Sequence, residues 1–277
     1  MLLAIAVFAI LVVMITGILG QLDRMWVQTE AQNQRDRSGR ALLNFMARDI
    51  KKAMMPLNIS NTTNLDFVIN PSSLSSTYGY RDNIFFQAPI ATDSLATSVG
   101  EIAEVGYFVQ WQPQSGSQVP TAQLCRFFVN PSDTVNYQIY LNPTSWITTA
   151  YLANVAPGAS ASSGNPPAPY KGLLAENVIG LWINPYDKNG NAVFTASRTY
   201  DSRTTSNLPA VVDISILVLD PATAKRLGAN SSMLTTVKGD VQTTTITNAD
   251  QCLTTLPAVL QPGASCFTTR VQLSNSQ

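Results

Sequence analysis

Residues 1–20, MLLAIAVFAILVVMITGILG, carry no charge, and the chain then runs to Pro56 with no proline and with Gly39 as its one glycine. A helix is the one regular structure that satisfies every backbone group of such an apolar run from within. At 1.5 Å per residue the run extends about 30 Å, the thickness of a bilayer's hydrocarbon. A cleaved secretory signal would want a positive start and a small-x-small cleavage site. Met1-Leu2-Leu3 supplies no positive charge, and Gln21-Leu22-Asp23-Arg24 supplies no cleavage motif. The reading is therefore a membrane anchor. Its orientation stays open, because Arg24, Arg35, Arg37 and Arg40 follow the run and would hold that side in the cytoplasm.

From residue 41 the pattern changes. Leu43, Met46, Ile50 and Met54 recur at spacings of three and four, with Arg48, Asp49, Lys51 and Lys52 on the other side. That is the apolar stripe of a helix packed on a folded head. Pro56 is read as its stop, since the residue before a proline disfavours helical dihedrals. Gly39 is read as loosening the helix at the join. The chain thus divides into an apolar half-helix at 1–20, an amphipathic half at 21–55 and a β-rich head at 56–277.

In the head, β-forming segments stand between turn signals. They are Asn83–Ala88, Glu104–Trp111, Gln123–Val129, Asn136–Leu141, Val178–Ile183, Asn191–Thr195 and Val211–Leu219. In the last, Val212, Ile214, Ile216 and Val218 alternate onto one apolar face that belongs in the core. Asn189-Gly190 marks a hairpin turn. Residues 221–228 read as a short helix, with Pro221 opening it and Gly228 closing it. Pro157–Pro169 and Arg198–Asn207 read as loops.

The 17 Lys+Arg and 17 Asp+Glu balance. Residues 1–52 hold seven basic and four acidic residues, and the remainder holds ten and thirteen. No clustered basic face arises, so nucleic acid is not an expected partner. Histidine is absent, which removes the commonest general base and metal ligand. No nucleophile motif, metal motif or phosphate loop occurs. Asp187-Lys188-Asn189-Gly190-Asn191 resembles the start of a calcium loop, but its twelfth position is Arg198, of the wrong charge. The chain is read as non-enzymatic, with no cofactor and no metal. Of the three cysteines, Cys252 and Cys266 lie in one Pro/Gly/Thr-rich segment and are a candidate disulfide, worth about 3 kcal/mol for a loop of that length. Cys125 is left over. Trp111, Trp146 and Trp182 could form a carbohydrate-stacking surface, with Trp182 better suited to the core.

The ordered segments resemble the type IV pilin and type II secretion pseudopilin superfamily. The apolar run looks like the stretch that follows that family's signature glutamate, whose position would fall before Met1. QNQRDRSGRALLNFMARDIKKAM is similar to the helix entering the head in J-type minor pseudopilins. GEIAEVGYFVQW with QLCRFFV, then LLAENVIGLWINPYDKNGN, then LPAVVDISILVLD, resemble three successive strand motifs of that class. DPATAKRL also resembles the Verru_Chthon cassette group of pilin-like proteins. The resemblance implies an α+β fold, with a long hydrophobic N-terminal helix packed as a stalk on an antiparallel β-sheet head. It implies a minor subunit of a filament, anchored in the inner membrane with the head in the periplasm or outside, whose partners are other subunits and secreted cargo. Met1, Ala4, Ala6, Phe8, Ala9, Leu11, Gly17 and Leu19 are the expected membrane and assembly residues. Leu43, Met46, Ile50 and Met54 are the expected helix–head contacts. The alternative is a membrane-anchored adhesin or carbohydrate-binding surface protein that forms no filament.

Overall fold

The computed structural model describes residues 2–55, 65–72, 74, 81–90, 101–113, 120–131, 137, 147, 171–195, 197–205 and 208–273. Helix α1 spans Leu2–Lys51. The chain forms two units, Met1–Ser38 and Gly39–Gln277, so the boundary falls within α1. In the first unit the described large apolar side chains face outward, from Val12 at 43% exposed to Trp26 at 76%.

In the second unit the last turns of α1 bury Leu42, Leu43, Met46 and Ile50, while Arg48 and Lys51 remain exposed. Met54 is half-buried just beyond the helix. The helix ends at Lys51, ahead of Pro56, because the backbone tightens there. Lys52 N donates to Asp49 O at 3.0 Å and Ala53 N to Ile50 O at 3.0 Å. Met54 N then donates to Gln87 O at 2.8 Å, tying the exit of the helix to a strand.

Among the described residues nine strands follow: β1 (Phe67–Ile69), β2 (Ile84–Ala88), β3 (Ala103–Pro113), β4 (Pro120–Val129), β5 (Lys171–Glu176), β6 (Val178–Tyr186), β7 (Tyr200–Asp201), β8 (Val211–Leu219) and β9 (Ala264–Gln272). They make a six-stranded sheet, β5-β4-β3-β2-β1-β7, and a three-stranded sheet, β6-β8-β9. Neighbouring strands run antiparallel. The chain passes between the sheets at Asn177, which adopts φ 61°. Asparagine tolerates that left-handed conformation better than most residues. Asn177 N donates to Ala122 O at 2.8 Å, and its carbonyl accepts Leu219 N at 2.9 Å, so one residue touches both sheets.

Alternation sets the layers. Val105, Tyr107 and Val109 of β3, with Leu124 and Phe128 of β4, join the main core with the end of α1. The opposite face, Val68, Phe85, Phe108, Cys125, Phe127 and Val129, forms a second core with Tyr137 and Ile147. On β8 the even positions are buried as the alternation requires, but Ser215, Leu217 and Leu219 are buried too. Helices α2 (Pro221–Ala229), α3 (Ser231–Gln242) and α4 (Ala249–Thr255) follow β8, and α4 packs against it. Ala249 N donates to Ser215 Oγ at 3.1 Å, which places the start of α4 over the odd face.

The expected fold class needs correction. Among the described residues no helix is long and apolar enough to cross a membrane. The fold is chiefly β, two sheets carrying short helices, rather than a hydrophobic stalk packed on a single sheet. Only the portion of α1 from Gly39 onward belongs to the β-rich unit.

Some local expectations also change. Asn191–Thr195 is not a strand; Ala192 alone bridges to Tyr186. The loop at Arg198–Asn207 contains β7. The expected strand Asn136–Leu141, apart from Tyr137, and the loop Pro157–Pro169 lie outside the described residues, as does Pro56.

Candidate functional site

Three features could carry function: the outward-facing part of α1, the contacts that hold its end in the core, and the surface turns. Of the expected assembly residues, Gly17 and Leu19 are exposed, and a Cβ at Gly17 would meet no atom within 4 Å. Met1 and the side chains of Ala4, Ala6, Phe8, Ala9 and Leu11 lie outside the described residues. Val12, Met14, Ile15, Ile18, Leu19, Leu22, Met25 and Trp26 are each at least 43% exposed. They form a larger apolar surface than single surface hydrophobics normally make.

The end of α1 is seated by charge as well as by apolar packing. Asp49, 4% exposed, accepts hydrogen bonds from Tyr107 Oη at 2.6 Å and from Arg126 Nε and Nη2 at 3.1 and 2.7 Å. The Arg126 guanidinium lies over the rings of Phe45, at 5.0 Å, and Phe128, at 4.1 Å. Burial pushes the Tyr107 hydroxyl well above its ordinary pKa, and the Asp49 charge adds to the rise. The Arg-Asp-Ile and Leu-x-Arg segments were visible in the sequence. That Asp49 and Arg126 meet was not, because 77 residues separate them.

Gly39 does not loosen the helix. A Cβ there would overlap the ring of Phe267 on β9, so the glycine lets helix and strand approach closely. Leu43, Met46 and Ile50 are buried in the main core.

The calcium-loop resemblance ends in a turn. Asp187 Oδ1 accepts Asn189 N and Asn191 N, both at 2.8 Å, and Oδ2 accepts Asn191 Nδ2 at 3.2 Å. Gly190 supplies the required φ of 83°. Those hydrogen bonds, chiefly the one from the Asn191 backbone, hold the Asp187 carboxyl below its ordinary pKa. Arg198 turns away into a buried ion pair with Asp82 at 2.6 Å. Among the described residues no cluster of Cys, Asp and Glu could hold a metal ion. An open cavity of about 630 Å³ lies beside this turn, bordered by Lys51, Tyr186, Lys188 and Arg270, without a nucleophile–base pair.

The expected disulfide is corrected. Cys125, Cys252 and Cys266 are free thiols. Cys252 sits buried on α4, whereas Cys266 on β9 donates to Asp250 Oδ1 at 2.6 Å. Burial pushes Cys125 and Cys252 up to about 12. The tryptophans do not make a stacking platform: Trp182 is fully buried and Trp111 is 9% exposed, with Lys238 Nζ 5.0 Å from its ring centre. Trp146 lies outside the described residues.

No known protein family and no curated protein sequence matches this chain. Among solved structures it is similar to a type IV-like pilin from Thermus thermophilus, at 13% identity and a TM-score of 0.36, over 87% of this chain and 97% of that one.

Proposed function

We propose that this chain is a pilin-like filament subunit that works by assembly rather than catalysis. The observation that carries the reading is the row of exposed apolar side chains on α1 between Val12 and Trp26. The β-rich unit meanwhile encloses two cores of its own. Apolar area on that scale, left in water, is a standing drive toward association. Equivalent helices of neighbouring subunits are its natural cover. Small residues such as Gly17 permit close approach.

The sequence likeness to J-type pseudopilins supports the finer reading, a minor subunit of a type II secretion or pilus-like machine. In it, the inner membrane holds the chain before assembly, the head stands in the periplasm or outside, and the head surface contacts cargo. The adhesin alternative loses its main support with Trp182 in the core and Trp111 nearly covered.

Replacing Ile18 and Leu22 together by Asp tests the reading. Both side chains are more than half exposed, so the β-rich unit should keep its thermal transition. Self-association of the full chain, read by analytical ultracentrifugation in mild detergent, should fall at least tenfold. Unchanged association would refute the assembly role. On fractionation of cells, recovery of the native chain away from the membrane and filament fractions would refute the localisation.

A further inference from the structure

Four non-glycine residues among those described adopt left-handed φ, and three of them meet at one place: Asn70 at 52°, Arg81 at 75° and Arg198 at 60°. Residues held in that region cluster at ligand clamps and switch sites. The place is the seam between the two sheets. Arg81 makes an isolated parallel bridge to Leu181 of β6, and Asp82 N donates to Leu181 O at 3.0 Å.

The seam holds two guanidinium groups and one carboxylate. Asp82, 1% exposed, accepts Arg198 Nη2 at 2.6 Å, Ile183 N at 2.8 Å and Asn70 Nδ2 at 3.0 Å. Arg198 Nη2 also donates to Asn184 Oδ1 at 2.8 Å. Arg81 donates through Nη2 to Ile246 O at 2.5 Å and lies 3.7 Å from Asp82 Oδ1 through Nε. The three side chains together retain one positive charge. The Asp82 carboxylate is fully engaged on one side of Arg198. Arg198 Nη1, Arg81 Nε and Asn83 Oδ1 are buried and find no hydrogen-bond partner among the described residues. Native proteins leave few such groups unsatisfied, and each calls for an explanation.

A cavity of about 320 Å³ opens on this cluster. Arg81, Asp82, Asn83 and Arg198 are its buried part, and Ser197 and Thr244 its exposed rim. Built-in charge, unspent donors and strained backbone thus converge on one concave site of ligand-binding size. A structural ion pair alone needs one arginine for Asp82; it explains neither the second guanidinium nor the unused Nη1.

We propose that the seam cavity binds a carboxylate, with Arg198 and Arg81 as its cationic donors and the Ser197 and Thr244 hydroxyls at its mouth. One residual positive charge matches a monoanionic carboxylate, and the two unspent nitrogens, Arg198 Nη1 and Arg81 Nε, supply charge-assisted donors for it. The carboxylate comes either from a free small acid or from the C-terminus of another protein chain. This inference is independent of the filament reading.

The test uses the full chain in detergent micelles at constant ionic strength, so that general screening does not change between samples. Acetate, N-acetylglycine, a short peptide with a free C-terminus, the same peptide amidated and inorganic phosphate are titrated while Tm is followed. The expected result is a saturable rise in Tm with the carboxylates and none with the amidated peptide. Ser197→Trp, which fills the mouth but leaves the buried ions in place, should weaken the apparent Kd at least tenfold without moving the unliganded Tm. Thr244→Trp, closing the mouth from another element, should do the same. Arg198→Gln should abolish the response. Tenfold tighter binding of the free-ended peptide than of acetate identifies a chain terminus as the source, and equal binding identifies a small acid. No saturable shift, tighter binding of phosphate, or a response unchanged in both tryptophan variants would overturn the proposal.

Discussion

Asp49 is a carboxylate taken out of water and repaid by three donors, Tyr107 and both reaching nitrogens of Arg126. The arrangement makes removal costlier than the pair's net worth, because the partners stay behind. Asp49→Ala leaves the Arg126 guanidinium and the Tyr107 hydroxyl, both largely buried, without their acceptor. Breaking such a set from one side costs about 3 kcal/mol. Urea denaturation of the variant against the parent checks this; a loss under ~1 kcal/mol would mean that solvent replaces the carboxylate. The residue itself was legible only as polar helix surface. It lies among Arg48, Lys51 and Lys52, which are exposed, and nothing local distinguishes a charge that meets a strand from one that meets water.

At the level of elements, strands with strong alternation were legible and those without it were not. Val211–Leu219 was placed to the residue, and β2, β3 and β4 were found with ends off by a few positions. Strand β9, ASCFTTRVQ, begins at the end of the candidate Cys252–Cys266 loop and was not read as a strand. Its Phe267 and Val271 share one face, but Thr269, the position between them on that face, is polar and hid the period. Helix α3, SSMLTTVKGDVQ, has poor helix formers. Thr235 and Thr236 turn their hydroxyls back onto the carbonyls four residues earlier, at 2.9 and 3.1 Å, while Val237 and Val241 are buried by packing. The helices depend on their starts. Asp220, Asn230 and Asn248 each accept a backbone N–H from inside the first turn. Helix α4 has only 7 residues and should be the most sensitive. Asn248→Ala should cost about 1 kcal/mol in equilibrium unfolding. A cost within error would show that the Ala249–Ser215 contact alone holds its first turn.

For the whole molecule, the informative boundary lies within a helix rather than at its end. Pro56 looked like the natural division, since it breaks the pattern in sequence. Packing divides the chain at Ser38 and Gly39 instead. A chain begun at Gly39 should fold with a cooperative thermal transition. One begun at Leu57 should not, because it loses Leu42, Leu43, Met46 and Ile50 from the main core. At 2–5 kcal/mol for each large buried side chain removed, the loss is about 8–20 kcal/mol, as large as the 5–15 kcal/mol that holds a typical domain together. Circular dichroism melts of the two truncations decide it. A cooperative transition in the shorter chain would show that the sheets close without the helix.

The two sheets therefore behave as a socket, and residues 39–51 as the plug that this chain inserts into itself. A shorter chain is the larger half of a split protein. It retains the Phe267 ring for Gly39 and Arg126 for Asp49, and those two contacts fix the register in which a separately supplied helix could complete it.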